Sequence, residues 1–116
     1  MPKSPKDVLS EFLANMPMLA KAIPQVADDF TKKLMPDVLK DGVLSLKQKE
    51  LIALGIAICA TCDYCIALHV KKCFEAGATK EEIAEVCGVA IPMGGGPALT
   101  YSAFVAKAIE EFGEPA

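Results

Sequence analysis

Apolar residues recur along most of the chain at intervals of three and four, which is the spacing of one face of an α-helix. The stretch 51–62 is almost entirely apolar and follows Ser45 and Gln48, which have the spacing of a helix-opening capping box. Thr79 and Glu82 repeat that spacing further along. No alternation typical of strands competes with these signals, so the pattern predicts an all-α fold.

Proline and glycine set the predicted helix limits. A first helix begins at Pro5, and a second begins near Met18 and ends at Pro36. The helix opened by Thr79 is expected to turn Ile83, Val86 and Val89 inward and to end at Pro92 and the glycines 94–96, since these residues do not continue a helix. Two further expectations are that the later turns of the helix after Ser45 are buried on all sides and that Gly77 caps the next helix.

With 116 residues and a mass of 12.3 kDa, the chain has the size of one domain, which we expect to span residues 1–116. Apolar residues make up 53% of the chain, more than a small monomer easily buries. The composition therefore indicates an ordered domain and favours contacts between subunits.

The formal net charge is −3, and lysines occur at most in pairs. Nucleic-acid binding needs a clustered basic face, so this function is disfavoured. The longest apolar stretch is shorter than the roughly 18 residues of a membrane span, and the first residues lack the apolar segment of a signal peptide. We therefore expect a cytoplasmic protein without a membrane partner.

Five cysteines lie between residues 59 and 87, an odd number that does not suit a framework of structural disulfides. Cys62, Cys65 and His69 follow one another at intervals of three and four, so they share one helix face. Residues three apart on a helix have Cα atoms about 5–6 Å apart, within the range of a disulfide. The spacing predicts a reversible Cys62–Cys65 pair with His69 as a proton partner.

Glu50 precedes Cys62 by twelve residues and lies where the preceding helix becomes apolar. If the two helices pack as a hairpin, its carboxylate faces the cysteines and can carry protons. The alternative is a solvated first turn, because Lys47 and Lys49 are close by. The remaining cysteines, Cys59, Cys73 and Cys87, are expected to be small buried apolar residues.

A metal site is the main alternative to redox chemistry. Cys59, Cys62, Cys65 and His69 have a spacing close to that of a ferredoxin-type cluster motif. Along a helix, however, these four groups spread over about 15 Å and do not converge on one ion. A chain break near Thr61 is what would rescue this alternative, and we expect no metal.

The series Glu50, eleven residues, Cys62-x-x-Cys65, three residues and His69 resembles the signature of the alkylhydroperoxidase AhpD-like group within the carboxymuconolactone decarboxylase superfamily. That resemblance implies an all-α AhpD-like helical domain with an active-site helix hairpin. It also implies homo-oligomers, commonly trimers or hexamers. One difference is Tyr64, at a position where characterised peroxidases of this group often have a histidine.

By the same resemblance, Cys65 matches the cysteine that attacks the peroxide and Cys62 the resolving thiol, while Glu50 and His69 match the proton relay. From the residues alone the attacking cysteine stays open, since a helix N-terminus favours Cys62 and the spacing to His69 favours Cys65. No cofactor is expected, because the electrons pass through sulfur.

The function predicted is a thiol-dependent hydroperoxide reductase that is regenerated by an external dithiol, lipoyl or thioredoxin-like. A disulfide oxidoreductase or adaptor of the same fold is the first alternative. A non-enzymatic oligomeric or metal-binding protein is the second.

Overall fold

The computed structural model describes residues 3–113, and the regular structure in this range is entirely helical. The all-α prediction is therefore confirmed. The elements are α1 (Pro5–Ala22), α2 (Pro24–Asp28), a π-helical segment (Asp29–Leu34), α3 (Met35–Val38), α4 (Leu46–Cys59), α5 (Asp63–Glu75), α6 (Lys80–Gly94) and α7 (Gly96–Phe112).

Local side-chain hydrogen bonds determine where α4 and α6 begin. The Ser45 hydroxyl accepts the backbone N–H of Gln48, and the Gln48 side chain in turn accepts the N–H of Ser45. Thr79 and Glu82 form the same reciprocal pair ahead of α6. Both capping boxes are as predicted, and each satisfies two backbone donors that the first turn leaves without partners.

Left-handed residues end α4 and α5. Thr61 has φ 54° and Gly77 has φ 92°. After α4, the N–H of Cys62 donates to the carbonyl of Ala57 and the N–H of Thr61 to that of Ile58, each at 3.1 Å. This is the Schellman arrangement, which reverses the chain direction so that α5 packs back against α4.

A body of four helices, α4–α7, encloses the core. Each helix packs against at least two of the others, and α1 lies across α5 and α7. Six large side chains with no solvent exposure fill the centre: Leu54, Ile58, Ile66, Val70, Ile83 and Val105. The side chain of Glu111 on α7 accepts the N–H of Lys6 at 2.9 Å, which ties the start of α1 to this body.

Residues 24–38, comprising α2, the π-helical segment and α3, form an arm. Beyond contacts among its own three pieces, the arm packs mainly against α1. Ala27 is the arm's buried residue, whereas Val26, Phe30, Leu34 and Val38 are 49–64% exposed. The arm therefore has an apolar face that the body of the same chain leaves uncovered.

Several predicted helix limits were wrong. The second helical stretch begins at Pro24 rather than near Met18, because α1 continues to Ala22. Pro36 does not end it, because the helix continues from the π-helical segment through Pro36 to Val38. Pro92 lies inside α6, which forgoes one backbone bond and continues to Gly94.

Predicted burial was also wrong in part. Ile83 is fully buried, but Val89 is 66% exposed, and on α4 the side chain of Ile56 is 65% exposed. The reason is that α4 and α6 each turn one side toward the other helices of the body, and the opposite side faces outward. The prediction that the later turns of α4 are buried all round therefore fails within a single chain.

Candidate active site

The α4–α5 hairpin brings Glu50 and His69 together. A Glu50 carboxylate oxygen (Oε1) lies 2.7 Å from His69 Nδ1, across nineteen residues of sequence. Glu50 is 3% exposed, and among residues 3–113 it is the only charged residue that is buried. The alternative of a solvated first turn is wrong for this residue, because Glu50 lies on the face of α4 that α5 covers.

The cysteine pair lies at the start of α5. Cys62 and Cys65 form a disulfide with Cα atoms 5.2 Å apart, within the separation expected from helical spacing. Both residues are partly exposed, and His69 follows Cys65 by one helical turn. The hairpin thus assembles a disulfide, an imidazole and a buried carboxylate along one edge of two helices.

Cys62 is also the N-cap of α5. Its Sγ accepts the backbone N–H of Cys65 at 3.1 Å, the bond that a serine or aspartate oxygen usually accepts at this position. The positive end of the helix dipole and this N–H both favour negative charge on the sulfur after reduction. The carboxylate of Asp63 in the first turn opposes that effect.

The hydrogen bond to Glu50 orients the His69 ring. When Nδ1 carries a proton and donates it in a hydrogen bond to the carboxylate, Nε2 stays available to take or give a proton. The His69 side chain is 12% exposed, so that exchange takes place close to the protein surface. The arrangement can therefore move a proton between a buried carboxylate and the neighbouring thiols.

The side chain of Tyr64, in the first turn of α5, packs on α1. Its ring stacks on Phe12 with centroids 3.4 Å apart, and burial raises the pKa of the Tyr64 phenol. The two residues border an open cavity of about 420 Å³ between α1 and the first turn of α5. Sequence reasoning missed this contact.

The other three cysteines differ from one another. Cys73 is fully buried, and burial together with the nearby Glu50 charge raises its pKa from 9.0 to about 12, so it stays a thiol. Cys87 is half-buried, and burial raises its pKa as well. Cys59 is exposed, which makes the prediction of a buried residue wrong there.

Within residues 3–113, the structure has no cluster of three or more histidine, cysteine, aspartate or glutamate side chains arranged to hold a metal ion. In the same range, we find no helix with the length and apolar character needed to cross a membrane.

Comparison with known sequences and structures gives consistent matches. The model of the carboxymuconolactone decarboxylase family matches residues 24–108. An uncharacterized protein of Cupriavidus necator is 35% identical over 97 residues, which cover 84% of this chain and 85% of that protein. An uncharacterized protein of the cox locus of Paracoccus denitrificans is 39% identical over 75 residues, covering 65% of this chain and 68% of that protein.

Two solved structures resemble this fold. A carboxymuconolactone decarboxylase family protein from Legionella pneumophila superposes with a TM-score of 0.89 at 34% identity, covering 95% of this chain and 97% of its own. A second, from Thermotoga maritima and described as a candidate for an antioxidative response, gives a TM-score of 0.68 at 30% identity. It covers 74% of this chain and 89% of its own.

Proposed function

The chain belongs to the carboxymuconolactone decarboxylase family, and from that premise we propose that it is a thiol-dependent hydroperoxide reductase. The Cys62–Cys65 pair carries the electrons, and Glu50 with His69 moves the proton. The observation that supports this assignment best is the 2.7 Å contact between the buried Glu50 carboxylate and His69, one helical turn from the pair.

The first step needs a thiolate at Cys65. His69, oriented by Glu50, takes the thiol proton, and the thiolate attacks the terminal oxygen of the hydroperoxide. The O–O bond breaks, Cys65 becomes a sulfenic acid, and the departing alkoxide takes a proton to become an alcohol. The peroxide is thereby reduced by two electrons and Cys65 oxidised by two.

The second step closes the disulfide. The Cys62 thiol condenses with the sulfenic acid of Cys65, forming the S–S bond and releasing water. Because the two Cα atoms are 5.2 Å apart within one helical turn, the backbone needs little rearrangement for this bond. An external dithiol, lipoyl or thioredoxin-like, then exchanges with the disulfide, leaving as a disulfide itself and restoring both thiols.

The wider setting belongs to the same proposal. Residues 1–116 form a single domain that assembles as a homo-oligomer, a trimer or hexamer by the family resemblance, and acts in the cytoplasm. The reaction needs no cofactor beyond the two sulfur atoms. Residues 24–108, matched by the family model, include all four proposed site residues.

A disulfide oxidoreductase is the second candidate, and one contact favours it. The Cys62 sulfur is the N-cap of α5 and accepts the Cys65 N–H, a position that favours the thiolate that a thiol–disulfide exchange enzyme uses. This function keeps the pair but exchanges it with substrate disulfides instead of peroxides. Comparing the rate of oxidation by a hydroperoxide with that by a small disulfide separates the two candidates.

Thiol counting tests the peroxidase cycle. In a Cys59→Ser background, which removes the exposed thiol, reduced protein treated with an alkyl hydroperoxide should lose two thiols that a dithiol restores. In that background, Cys62→Ser should leave a sulfenic acid on Cys65 that can be trapped. Cys65→Ser, made separately in the same background, should abolish the fast loss of thiols. A sulfenic acid found on Cys62 instead would reverse the assigned roles.

The proton relay is tested with Glu50→Gln, which keeps the shape of the side chain and removes its charge. We expect peroxide reduction at pH 7 to slow by about 10²-fold, because the oriented base is lost. The rate should recover in part above pH 9, where thiols ionise without a base. An unchanged rate at pH 7 would exclude Glu50 from the relay.

A further inference from the structure

The arm, residues 24–38, carries an apolar stripe that faces solvent. The exposed fractions are 64% for Val26, 53% for Phe30, 55% for Leu34 and 49% for Val38. These positions recur at intervals of about four, so they lie along one side of the arm. Four such side chains leave an exposed apolar area on the order of 400 Å², as large as the largest patch of a typical monomer.

A groove lies between α4 and α6, and the large side chains of its rim expose an apolar area on the order of 400 Å², similar to that of the stripe. It encloses about 420 Å³, and its rim is formed by Ile52, Ile56, Val89 and Met93, which are 51–77% exposed. The lining contains no charged residue. A helix segment that is apolar on all sides, as the later turns of α4 are, belongs in an interior, so the outward side of these turns lacks the cover that the sequence predicts.

Hydrogen bonds fix the point where the arm joins α4. At the end of the arm, Lys49 Nζ donates to the carbonyl of Val38 at 3.0 Å. In the connection that follows, the Asp41 side chain accepts the N–H of Leu46 at 2.8 Å. These bonds fix the junction between the arm and α4, and the arm makes its main contacts outside itself with α1.

We propose that the arm of one copy of the chain lies in the α4–α6 groove of a second copy. This inference rests on the oligomerisation included in the proposed function, and it names the surfaces involved. One chain carries one stripe and one groove of matching area and apolar character, so a closed assembly covers every stripe and every groove. An unrelated partner would have to supply both an apolar groove for the stripe and an apolar segment for the groove.

The charges on the arm fit this occupant. Lys32 pairs with Asp28 at 3.2 Å and Lys33 with Asp29 at 3.1 Å, and Asp37 pairs with Lys40 just beyond the arm at 3.2 Å, so the charges beside the stripe already have partners. The arm contains three aspartates and two lysines. An amphipathic helix that binds an anionic membrane is instead rich in basic residues on its polar face.

The area buried is sufficient for a stable complex. When two copies within a hexamer exchange arms, two stripes and the rims of two grooves are covered, each on the order of 400 Å². The total is on the order of 1,600 Å², which is the size of a standard specific interface. Apolar side chains contribute most of it, as is typical of subunits that stay associated.

Light scattering with size-exclusion chromatography tests the interface. Wild-type protein should elute as a multiple of 12.3 kDa at micromolar concentration. Phe30→Asp on the stripe and Ile56→Asp in the groove should each weaken association by roughly thirtyfold or more, because each buries an unpaired charge. Leu13→Asp, at an equally exposed apolar residue of α1 outside both surfaces, should leave the mass unchanged. Circular dichroism should report wild-type helicity for all three.

Cys59 provides an independent reading because it lines the groove and is exposed in a single chain. With the Cys62–Cys65 disulfide intact, N-ethylmaleimide should modify Cys59 slowly in the wild type and at least tenfold faster in Phe30→Asp, whose arm no longer covers the groove. Equal rates in the two proteins would overturn the proposal.

Failures of the two proposals are distinguishable. A wild-type monomer would overturn both the arm–groove contact and the oligomer. An oligomer that survives Phe30→Asp and Ile56→Asp would overturn the arm–groove contact alone, and peroxide-dependent thiol loss is measured separately from either. Binding of the wild-type protein to anionic vesicles through Phe30, with no self-association, would assign the stripe to a membrane instead and overturn the proposal.

Discussion

The body and the arm of this chain use similar residues and reach opposite outcomes. In α4–α7, leucine, isoleucine and valine side chains reach zero exposure at positions such as Ile66 and Ile83. In the arm, Phe30 and Leu34 stay more than half exposed. Both regions follow helical periodicity, so the periodicity indicates a helix with an apolar side and leaves open which molecule covers that side.

The arm and the body also differ in which property they control, because the proposed chemistry and the folded core share one region and association belongs to the other. Glu50 lies on α4, and Cys62, Cys65 and His69 lie at or within α5, so the whole proposed site belongs to the body. The arm contributes no residue to it. Changes in the arm should therefore act on association, whereas changes in the body should act on folding and on thiol chemistry.

The largest difference should come from truncating one apolar side chain in each region. Ile83→Ala removes a fully buried side chain and should lower the free energy of unfolding by about 2–5 kcal/mol, through lost burial and a cavity. Phe30→Ala should lower it only at protein concentrations that favour assembly. Urea unfolding of both variants between 0.5 and 50 µM measures this. Equal, concentration-independent losses would mean that the arm packs on its own body.

A smaller effect, on how stability depends on pH, should come from Cys73, the buried thiol of the body. The pKa of Cys73 rises from 9.0 to about 12 on folding, so the folded state holds this proton more tightly than the unfolded state. Its contribution to stability is complete below pH 9 and is lost as the pH rises toward 12. Urea midpoints measured from pH 8 to 10.5 should fall more steeply for the wild type than for Cys73→Ala. Parallel curves would contradict the shift.

The smallest effect should appear at Thr61, the left-handed residue between α4 and α5. Among residues 3–113, Thr61 is the only residue other than glycine with a positive φ. This conformation crowds its Cβ and costs about 1–2 kcal/mol. Thr61→Gly relieves this crowding but adds freedom to the unfolded chain, so we expect a net gain of about 0.5 kcal/mol. Thermal unfolding measures it, and Thr61→Ala is the control that should gain nothing.

Features that depend on neighbouring residues could be predicted from the sequence. The Ser45–Gln48 and Thr79–Glu82 boxes and the left-handed Gly77 each need only residues within four positions, and all are present. The closeness of the cysteine pair is equally local, although Cys62 precedes α5 as its N-cap and does not lie on the helix face itself.

Features that depend on how helices meet could not be predicted. The stack of Phe12 on Tyr64 requires α1 to cross the start of α5, and no spacing in the sequence encodes that crossing. The exposure of Val89 has the same origin, because α6 has apolar residues on more sides than the body of one chain covers. For Glu50, the sequence indicated a position at the edge of the apolar run, and its burial followed from the hairpin.

The hydrogen bond from the Cys65 N–H to the Cys62 sulfur has an electrochemical consequence. In the disulfide this sulfur is neutral, whereas in the dithiol it can carry a negative charge at the positive end of α5. The helix terminus therefore stabilises the reduced state, which makes the midpoint potential of the pair more oxidising. Under the proposed function, such a pair would transfer its disulfide readily to an incoming dithiol and would be regenerated even when the reductant pool is partly oxidised.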